Sequence, residues 1–393
     1  MITTLAVENY RSLRDLCIPV GPLTVVTGAN GSGKSSLYRA VRLLADVSRN
    51  GAVAALAREG GLRSTLWAGP EQGTKAGRKT QGTVRSAPVG LRLGFGGEEF
   101  GYAIDLGLPV PSGDPEAAKF NLDPAIKTEA VWSGPVLRPA TSLIERHNDA
   151  VMIRGADGKW APKPYPIQQF DSMLSEFADP QAAPELFLVR DRIRSWRFYD
   201  HFRTDADAPA RTPQIGTRTP VLAHDGSDLA AALQTIVAGG RGGALDEAID
   251  DAFPGSRVEV QVEADGRFSL RLRQPGLLRP LGAAELSDGT LRYLLLVAAL
   301  LTPRPADLVV FNEPETSLHP DLLTPLGALI AAVSERSQII VVSHSADLIR
   351  AIGRAAGKLR RDVGMVELEK LNGETVIPGQ GLLDSPLWFW PKR

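Results

Sequence analysis

The sequence is poor in cysteine, in net charge and in long apolar runs, and each shortage excludes a class of protein. Cys17 is the only cysteine among 393 residues, so an internal disulfide and a zinc site built from several thiolates are both excluded. The 44 basic and 45 acidic residues leave a net charge of −1, so no overall positive field favours nucleic acid. The longest apolar run, Tyr293 to Leu301, is too short to span a bilayer, and no basic region followed by an apolar core opens the chain. We therefore expect a cytoplasmic protein without a membrane partner, with Cys17 in the core of a strand.

The sequence also contains no internal repeat and no heptad run. Hydrophobic residues make up 43% of the chain, enough for one large core or two ordinary ones. The composition therefore predicts a globular protein.

A Gly-rich stretch lies between a predicted strand and a predicted helix. Residues 23–26 form a short apolar, β-branched run, and Ser35–Val47 has helical spacing. The pattern G-x-x-x-x-G-K-S runs from Gly28 to Ser35. Its glycines allow a tight turn of inward-pointing N–H groups, Lys34 can reach the β- and γ-phosphates, and the serine hydroxyl can bind Mg²⁺. The stretch predicts a nucleoside triphosphate site, with a Gly-rich structural turn as the alternative.

A second candidate phosphate contact is the serine that opens a long apolar helix. Ser287 precedes Asp288-Gly289-Thr290 and a run of apolar residues. A serine in this position is a natural N-cap. A run of N-terminal amides with a glycine that permits close approach is also how a second phosphate site would be built.

Two predicted buried strands, 307–311 and 338–342, end in residues suited to catalysis. Glu313 follows the first strand and His344 follows the second. Ligands of open α/β sheets bind at the carboxyl ends of the strands. A carboxylate there can position and deprotonate a water that attacks the γ-phosphate. We therefore expect Glu313 and His344 to share a functional site.

The order of these motifs resembles that of the ABC-type ATPases. L-S-D-G-T at 286–290 is similar to the signature L-S-G-G-Q, and E-P-E-T-S-L-H-P at 313–320 looks like the extended Walker B and D-loop of the SMC and RecF branch. Within that branch, N-Y-R-S near the start of the chain and P-L-W-F-W-P-K-R at its end resemble the compact RecF-like predicted ATPases. The specific motifs cover about residues 1–60 and 280–393.

The resemblance implies an α/β fold, a P-loop NTPase head of the ABC type with a mixed sheet and flanking helices. Both ends of the chain would build this head. Residues 1–60 would carry the Walker A motif, and residues 281–393 the signature, Walker B, D-loop and His switch. Residues 61–280 would form a folded insertion of β-rich and helical character.

The resemblance also implies ATP and Mg²⁺ as cofactors and a head-to-tail homodimer in the ATP-bound state. Each site would combine the cradle, Glu313 and His344 of one subunit with Ser287 and Gly289 of the other. The residues implied to contact nucleotide are Arg11, Gly28, Asn30, Gly31, Ser32, Gly33, Lys34, Ser35, Ser36, Ser287, Gly289 and His319. Lys34, Glu313 and His344 would be catalytic, and Ser35 and Asn312 would hold the metal. Hydrolysis would gate a partner, by resemblance DNA in repair or genome defence, or an effector protein.

Several positions depart from the family pattern. Asn312 stands where an Asp usually holds Mg²⁺ through water, so we expect weak metal binding and slow turnover unless another carboxylate, with Glu315 the nearest in sequence, supplies the charge. His319 replaces the usual Asp of the D-loop, and neither Gln72 nor Gln81 has the context of a Q-loop glutamine. Arg11 has two equal interpretations, a contact with the nucleotide and an exposed charge at a strand edge.

Other function classes remain as alternatives. Asn312 favours a switch that binds ATP, dimerises and hardly hydrolyses it. A small-molecule kinase or a GTPase would not explain L-S-D-G-T, and the N-K-x-D of a GTPase is missing. A transporter subunit would require a membrane partner.

Arginines of a predicted helix from Pro184 form a possible phosphate-backbone patch. Arg190, Arg194 and Arg197 fall at i, i+4 and i+7, and Arg203, Arg211 and Arg218 follow in a loop. The favoured alternative is a solvated face paired with the neighbouring aspartates Asp191, Asp200, Asp205 and Asp207. Patterning elsewhere predicts an exposed loop at 69–82, period-two strands from 83 to about 154, an amphipathic helix containing Phe170 to Phe177, and a hairpin of 257–262 with 267–273.

Overall fold

A computed structural model describes residues 1–70, 90–111, 113–155, 157–163, 166–177, 179–381 and 384–393. Most of the predicted loop at 69–82, with Gln72 and Gln81, lies outside the described residues, as does the start of the predicted period-two region.

The strands of the described part, in chain order, are β1 (Ile2–Tyr10), β2 (Leu13–Pro19), β3 (Leu23–Gly28), β4 (Leu91–Gly97), β5 (Phe100–Gly107), β6 (Ala125–Ser133), β7 (Ser142–His147), β8 (Ala150–Arg154), β9 (Trp160–Pro162), β10 (Arg197–Tyr199), β11 (Gln214–Ile215), β12 (Arg257–Val262), β13 (Arg267–Arg273), β14 (Leu281–Gly282), β15 (Leu308–Asn312), β16 (Gln338–Val342), β17 (Gly364–Leu371) and β18 (Glu374–Val376). The helices are α1 (Lys34–Asn50), α2 (Ala52–Arg58), α3 (Leu62–Thr65), α4 (Pro115–Ala118), α5 (Met173–Glu176), α6 (Pro184–Ser195), α7 (Leu229–Ile236), α8 (Gly242–Ala252), α9 (Asp288–Leu300), α10 (Leu323–Val333) and α11 (Ala346–Lys358). Short 3₁₀ segments occur at Pro209–Arg211, Ala283–Glu285 and Pro320–Leu322, and a π-type turn at Val237–Arg241.

The first of two compact units consists of residues 1–21, 27–196 and 366–393, so it holds both ends of the chain. Its antiparallel sheet has the strand order β2-β1-β4-β5-β6-β7-β8-β9. A fully buried ion pair joins β6 to β7, since the Arg146 guanidinium lies 2.8 Å from the Glu129 carboxylate. The Tyr102 hydroxyl donates to the same carboxylate at 2.6 Å, and this satisfies charges that would otherwise be costly inside a core.

The second unit consists of residues 22–26 and 197–365. Its central strands, β10, β15, β16 and the first part of β3, pair in that order and run parallel. They are short, apolar and almost wholly buried, as strands covered on both faces must be. A second sheet holds the hairpin of β12 and β13, flanked by β11 and β14. The parallel pairing brings the carboxyl ends of four strands to one edge.

The structure confirms the α/β fold class and most predicted elements. The helix predicted at 35–47 is α1, and the hairpin predicted at 257–262 and 267–273 has those bounds. The amphipathic helix predicted through Phe177 is reduced to the single turn of α5. None of the described helices is long and apolar enough to cross a membrane. The division of the chain at about residues 60 and 280 stays a prediction.

The prediction that Arg190, Arg194 and Arg197 share a helix face is wrong. α6 ends at Ser195, and Arg197 begins β10. Trp196 leaves the helical conformation and is fully buried, with its ring edge-on to Phe95 at 5.3 Å. The free energy gained by burying this indole exceeds the free energy that a longer helix would contribute.

Candidate functional site

The Gly-rich loop of the first unit follows β3 and leads into α1. Gly28, Gly31 and Gly33 have φ angles of 143°, 78° and 107°. A Cβ at Gly33 would lie 2.1 Å from the Thr375 hydroxyl oxygen, so packing as well as backbone conformation requires glycine there. At Gly31, by contrast, a Cβ would meet nothing within 4 Å. The loop is therefore packed at Gly33 and open at Gly31.

Lys34 lies against this loop with 5% of its surface exposed. Its ammonium donates to the carbonyls of Gly28 at 2.6 Å and Ala29 at 3.0 Å. An ammonium has three N–H donors, so one remains for a ligand. The lysine is thus held beside the loop by the backbone that a phosphate would approach.

The start of α1 has the features of an anion site. Its N-cap, Gly33, supplies no side-chain hydrogen bond to the first turn. The first N–H groups of a helix have no partner within the helix, and they carry a partial positive charge. Ser32 adds a buried hydroxyl without a hydrogen-bond partner among the described residues, while Ser35 is exposed and Ser36 half-buried. These donors fit a triphosphate, and the Ser35 hydroxyl fits Mg²⁺.

Arg11 lies in the turn between β1 and β2 with φ of 49°. Its N–H donates to the Thr65 carbonyl at 2.7 Å, and its guanidinium is 2.6 Å from the Glu59 carboxylate. Arg11 therefore has a carboxylate partner within the first unit, and its contact with nucleotide stays a prediction. Asn30 is exposed in the Gly-rich loop.

In the second unit, Glu313 and His344 lie together at the carboxyl ends of β15 and β16. The His344 Nδ1 atom is 3.7 Å from Glu313 Oε1. Glu313 has a φ of 49°, its N–H donates to the Val342 carbonyl at 2.8 Å, and its carbonyl accepts from Arg292 at 3.3 Å. A left-handed conformation in a non-glycine residue persists only where its surroundings fix it.

Glu315 fixes the chain after β16. Its Oε1 atom accepts hydrogen bonds from the Ser343 hydroxyl at 2.7 Å and from the N–H groups of His344 and Ser345 at 3.1 and 3.2 Å. The side chain is buried, so water cannot easily replace these donors. Glu315 therefore positions His344, a role that its place in the sequence did not indicate.

Asn312 ends β15 with 9% of its surface exposed. Its Nδ2 donates to the Asp200 carboxylate at 2.7 Å, and its Oδ1 is buried without a hydrogen-bond partner in the described ranges. The sequence suggested an arginine as the partner of Asp200. The pairing of β10 with β15 instead places Asp200 beside Asn312, and sequence alone does not show which strand neighbours β15.

Arg292 is the buried cation of this edge, with 2% of its surface exposed. It projects from α9 and donates to the Glu313 carbonyl and, at 3.5 Å, to the Asp200 carbonyl. Burial lowers the pKa of Arg292, and the nearby carboxylates of Glu315, Asp200 and Glu313 oppose this shift. Because a guanidinium stays protonated in proteins, Arg292 is a fixed positive charge.

Ser287 caps α9, as predicted, because its hydroxyl accepts from the Thr290 N–H at 3.2 Å. Gly289 has a packing reason as well, since a Cβ there would lie 3.0 Å from the Ser317 carbonyl oxygen. His319 is exposed and caps a 3₁₀ turn, with its Nδ1 accepting from the Asp321 N–H at 3.3 Å. Roles for these three residues at a nucleotide stay predictions.

Arg211 anchors the segment that precedes α9, so it is not a surface arginine of a phosphate patch. Its side chain is 8% exposed and donates to the carbonyls of Ala283 and Leu286 at 3.0 and 2.7 Å and to the Asp288 carboxylate at 2.7 Å. Arg203, in contrast, forms an exposed pair with Asp205.

Within the described part of the chain, no three His, Cys, Asp or Glu side chains are grouped so as to hold a metal ion. Mg²⁺ bound with a nucleotide is held largely by phosphate oxygens and water, and it does not need such a cluster. In the first unit, the exposed hydroxyl of Ser35 suits this kind of binding. In the second unit, the buried Oδ1 of Asn312, which has no hydrogen-bond partner among the described residues, suits it as well.

Two protein families match separate parts of the chain. Residues 1–66 match the family described as "AAA ATPase domain", and residues 159–350 match "AAA domain, putative AbiEii toxin, Type IV TA system". A segment of 44 residues is 48% identical to an OLD nuclease of Thermus scotoductus, strain ATCC 700910 / SA-01. That segment is 11% of this chain and 8% of the nuclease, so most of the relative has no counterpart in the match.

One solved structure shows a similar fold. The SMC head bound to the C-winged helix domain of ScpA superposes with a TM-score of 0.51 at 13% identity, over 97% of this chain and 98% of that chain. An SMC head with an extended coiled coil, bound to the C-terminal domain of ScpA from Pyrococcus furiosus, gives 0.47 at 13% identity over 95% and 94%. The resemblance to P-loop ATPases of the SMC and RecF type is confirmed, and the chain has an SMC-head fold.

We expect Arg211→Met to loosen the segment before α9. The variant leaves the carbonyls of Ala283 and Leu286 and the Asp288 carboxylate without this donor, which should lower the free energy of unfolding by about 2–4 kcal/mol. Chemical denaturation measures this change, and amide exchange should quicken at 283–288. Arg203→Met, which removes an exposed ion pair, is the control and should leave the denaturation midpoint close to that of the wild type. Equal effects of the two variants would contradict the anchoring role.

Proposed function

We propose that the protein binds and hydrolyses ATP with Mg²⁺, and that the ATP-bound state is a head-to-tail homodimer that gates a DNA-related activity. One observation carries this proposal: β3, the strand that leads into the Gly-rich loop, pairs with β16, and β16 pairs with β15. The loop, His344 and Glu313 therefore each follow the carboxyl end of one of three neighbouring parallel strands.

Residues 28–36 are the proposed phosphate cradle. Lys34, the free amides at the start of α1 and the Ser32 hydroxyl would donate to the phosphates. Ser35 and Asn312 would hold Mg²⁺, which neutralises phosphate charge when it is bound. Asn30, Gly31 and Ser36 would line the same cradle. Arg11 would contact the nucleotide either in place of Glu59 or together with it.

Glu313 is the proposed general base. Its carboxylate is partly exposed at the strand end, and the left-handed backbone fixes its direction. His344, held by Glu315, would contact the γ-phosphate or the attacking water. Together they would orient the water and accept its proton.

The dimer proposal depends on the signature segment. Ser287 is exposed at the start of a helix that continues into the buried Arg292, and Arg292 contacts the Glu313 carbonyl. A phosphate bound to Ser287 and Gly289 from a second subunit would thus be linked through α9 to the base of this subunit.

The DNA-related activity is the part of the proposal that rests on a sequence relative. It is supported by the 48% identity of a 44-residue segment to an OLD nuclease. An effector protein is the alternative partner, since the similar SMC head is bound to a domain of ScpA. A net charge of −1 requires that any DNA contact be local.

The second candidate function is an ATP-dependent dimerisation switch with little hydrolysis. It is favoured by Asn312, which brings no charge of its own to the metal. Measured turnover separates the two functions: the ATPase releases phosphate repeatedly, whereas the switch binds one ATP per subunit and retains it.

Lys34→Ala should weaken ATP binding about 10- to 100-fold, because one charge-assisted contact to the phosphates is lost while the loop amides remain. Calorimetric titration with ATP and Mg²⁺ measures the affinity. Lys358→Ala, at an exposed lysine of α11, is the matched control and should bind as the wild type does. Unchanged affinity in the Lys34 variant would remove the cradle from the proposal.

Glu313→Gln should bind ATP normally but slow turnover by about 10²- to 10⁴-fold, since an amide fits the space of the carboxylate but cannot accept a proton. Light scattering with ATP and Mg²⁺ should then show a stable dimer. Glu247→Gln, at an exposed residue of α8, should turn over at the wild-type rate. A Glu313 variant that stays monomeric with ATP would count against the dimer.

Ser287→Asp separates capping from a contact across the dimer. Aspartate caps a helix as well as serine does, so stability should change by less than about 0.5 kcal/mol. A carboxylate facing a phosphate should prevent dimerisation while binding of ATP to the monomer persists. Ser287→Thr keeps both the cap and the hydroxyl, and we expect it to dimerise. If Ser287→Asp dimerises like the threonine variant, Ser287 is only a cap.

A further inference from the structure

We propose that Asp200 supplies the negative charge that Asn312 lacks, and that the two side chains act as a pair toward the Mg²⁺ of a bound nucleotide. In this pair Asp200 is a positioning residue, and Asn312 presents its side-chain oxygen to the metal or its water. The inference rests on the proposed function and names a residue to which neither the motifs nor the comparisons give a role.

The strand register places the two residues side by side. Tyr199 pairs with Phe311 in the parallel ladder of β10 and β15, so the next residues, Asp200 and Asn312, follow at the same edge. The Asn312 amide nitrogen donates to the Asp200 carboxylate at 2.7 Å. The contact is thus built by backbone pairing and does not depend on a loop.

The orientation of the Asn312 amide is determined by chemistry. Its oxygen and the Asp200 carboxylate are both acceptors, so only the nitrogen can face Asp200. The oxygen then faces away from Asp200, where it is buried and accepts no hydrogen bond from the described residues. A buried acceptor of this kind requires a donor, and a water bound to the metal is one.

The hydrogen bond also changes the electron distribution of the amide. Donation from its nitrogen to an anion polarises the amide and makes its oxygen more negative. The same arrangement, a carboxylate behind a ligand, tunes metal sites in which the ligand itself is neutral. Asp200 therefore acts on the metal through Asn312.

The other carboxylates of this edge have different partners. Glu315 accepts three hydrogen bonds from residues 343–345, and Glu313 lies beside His344. Arg292 contacts Asp200 through the backbone, by donating to the Asp200 carbonyl at 3.5 Å. Asp200 is the carboxylate of the described residues that contacts Asn312.

Binding of Mn²⁺, as a probe for Mg²⁺, to the full chain saturated with a non-hydrolysable ATP analogue tests the inference. Asp200→Asn should weaken Mn²⁺ binding about 10- to 100-fold, as loss of an outer partner does at other metal sites. Affinity for the analogue in EDTA should not change. Asp246→Asn, the same charge change at an exposed residue of α8, is the control and should bind Mn²⁺ as the wild type does.

The reciprocal swap tests whether one carboxylate at this contact, on either residue, is enough for Mn²⁺ binding. Asp200→Asn combined with Asn312→Asp restores one carboxylate and one amide at the same contact, and we expect Mn²⁺ affinity to return to within about fivefold of wild type. The single variant separates charge from structure, because an asparagine at 200 keeps the shape and a hydrogen bond to Asn312 and removes only the charge, so a merely structural role for Asp200 predicts unchanged Mn²⁺ affinity in Asp200→Asn. Wild-type affinity in Asp200→Asn, or no recovery in the swap, overturns the inference.

The remaining outcomes are also decisive. If the wild type binds neither the analogue nor Mn²⁺, the proposed function fails and the inference fails with it. If the wild type binds both, and either Asp200→Asn binds Mn²⁺ equally well or the swap does not recover, only the inference fails. If Asp200→Asn does not fold, Asn312→Asp replaces it, because two carboxylates at the 2.7 Å contact repel. That variant should melt at a lower temperature without metal and recover with Mn²⁺ and the analogue. An unchanged melting temperature overturns the pairing.

Discussion

Parallel pairing of β10, β15, β16 and β3 is the constraint on which the candidate site depends. It fixes which residues follow the strands at one edge: Asp200, Asn312 and Glu313, and His344. Parallel strands covered by helices read as largely apolar runs, so polar side chains concentrate where the strands end. Chemistry in the second unit is therefore confined to the places where its strands end.

The buried guanidinium of Arg292 offsets part of the negative charge at this edge. Arg292 is the charged residue in the buried, otherwise apolar stretch of α9, and three carboxylates act on it electrostatically. Its contact with the Glu313 carbonyl joins α9, the helix that Ser287 caps, to the residue proposed as the base. A change at the start of α9 has a direct route of contacts to the strand end, which is what a site completed by a second subunit would need.

The sequence predicts the parts of this structure that are local. The Gly-rich loop, the hairpin of β12 and β13, the Ser287 cap and the two strand ends follow from spacing and side-chain type alone. The parts that depend on strand order were not predictable, because β10 and β15 are separated by more than a hundred residues yet lie side by side. The sequence therefore predicts arginine partners for Asp200, where the strand order places Asn312. It also predicts a helical Arg197, because it does not show that the helix ends where Trp196 becomes buried.

A structure of the protein with Mg²⁺ and a non-hydrolysable ATP analogue tests the central claim most directly. We expect residues 28–36 to surround the triphosphate, Lys34 to donate its remaining N–H to a phosphate oxygen, and Glu313 to face the γ-phosphate of the same nucleotide. A triphosphate bound away from this loop, or one bound there with Glu313 out of reach of any water at the γ-phosphate, would contradict it.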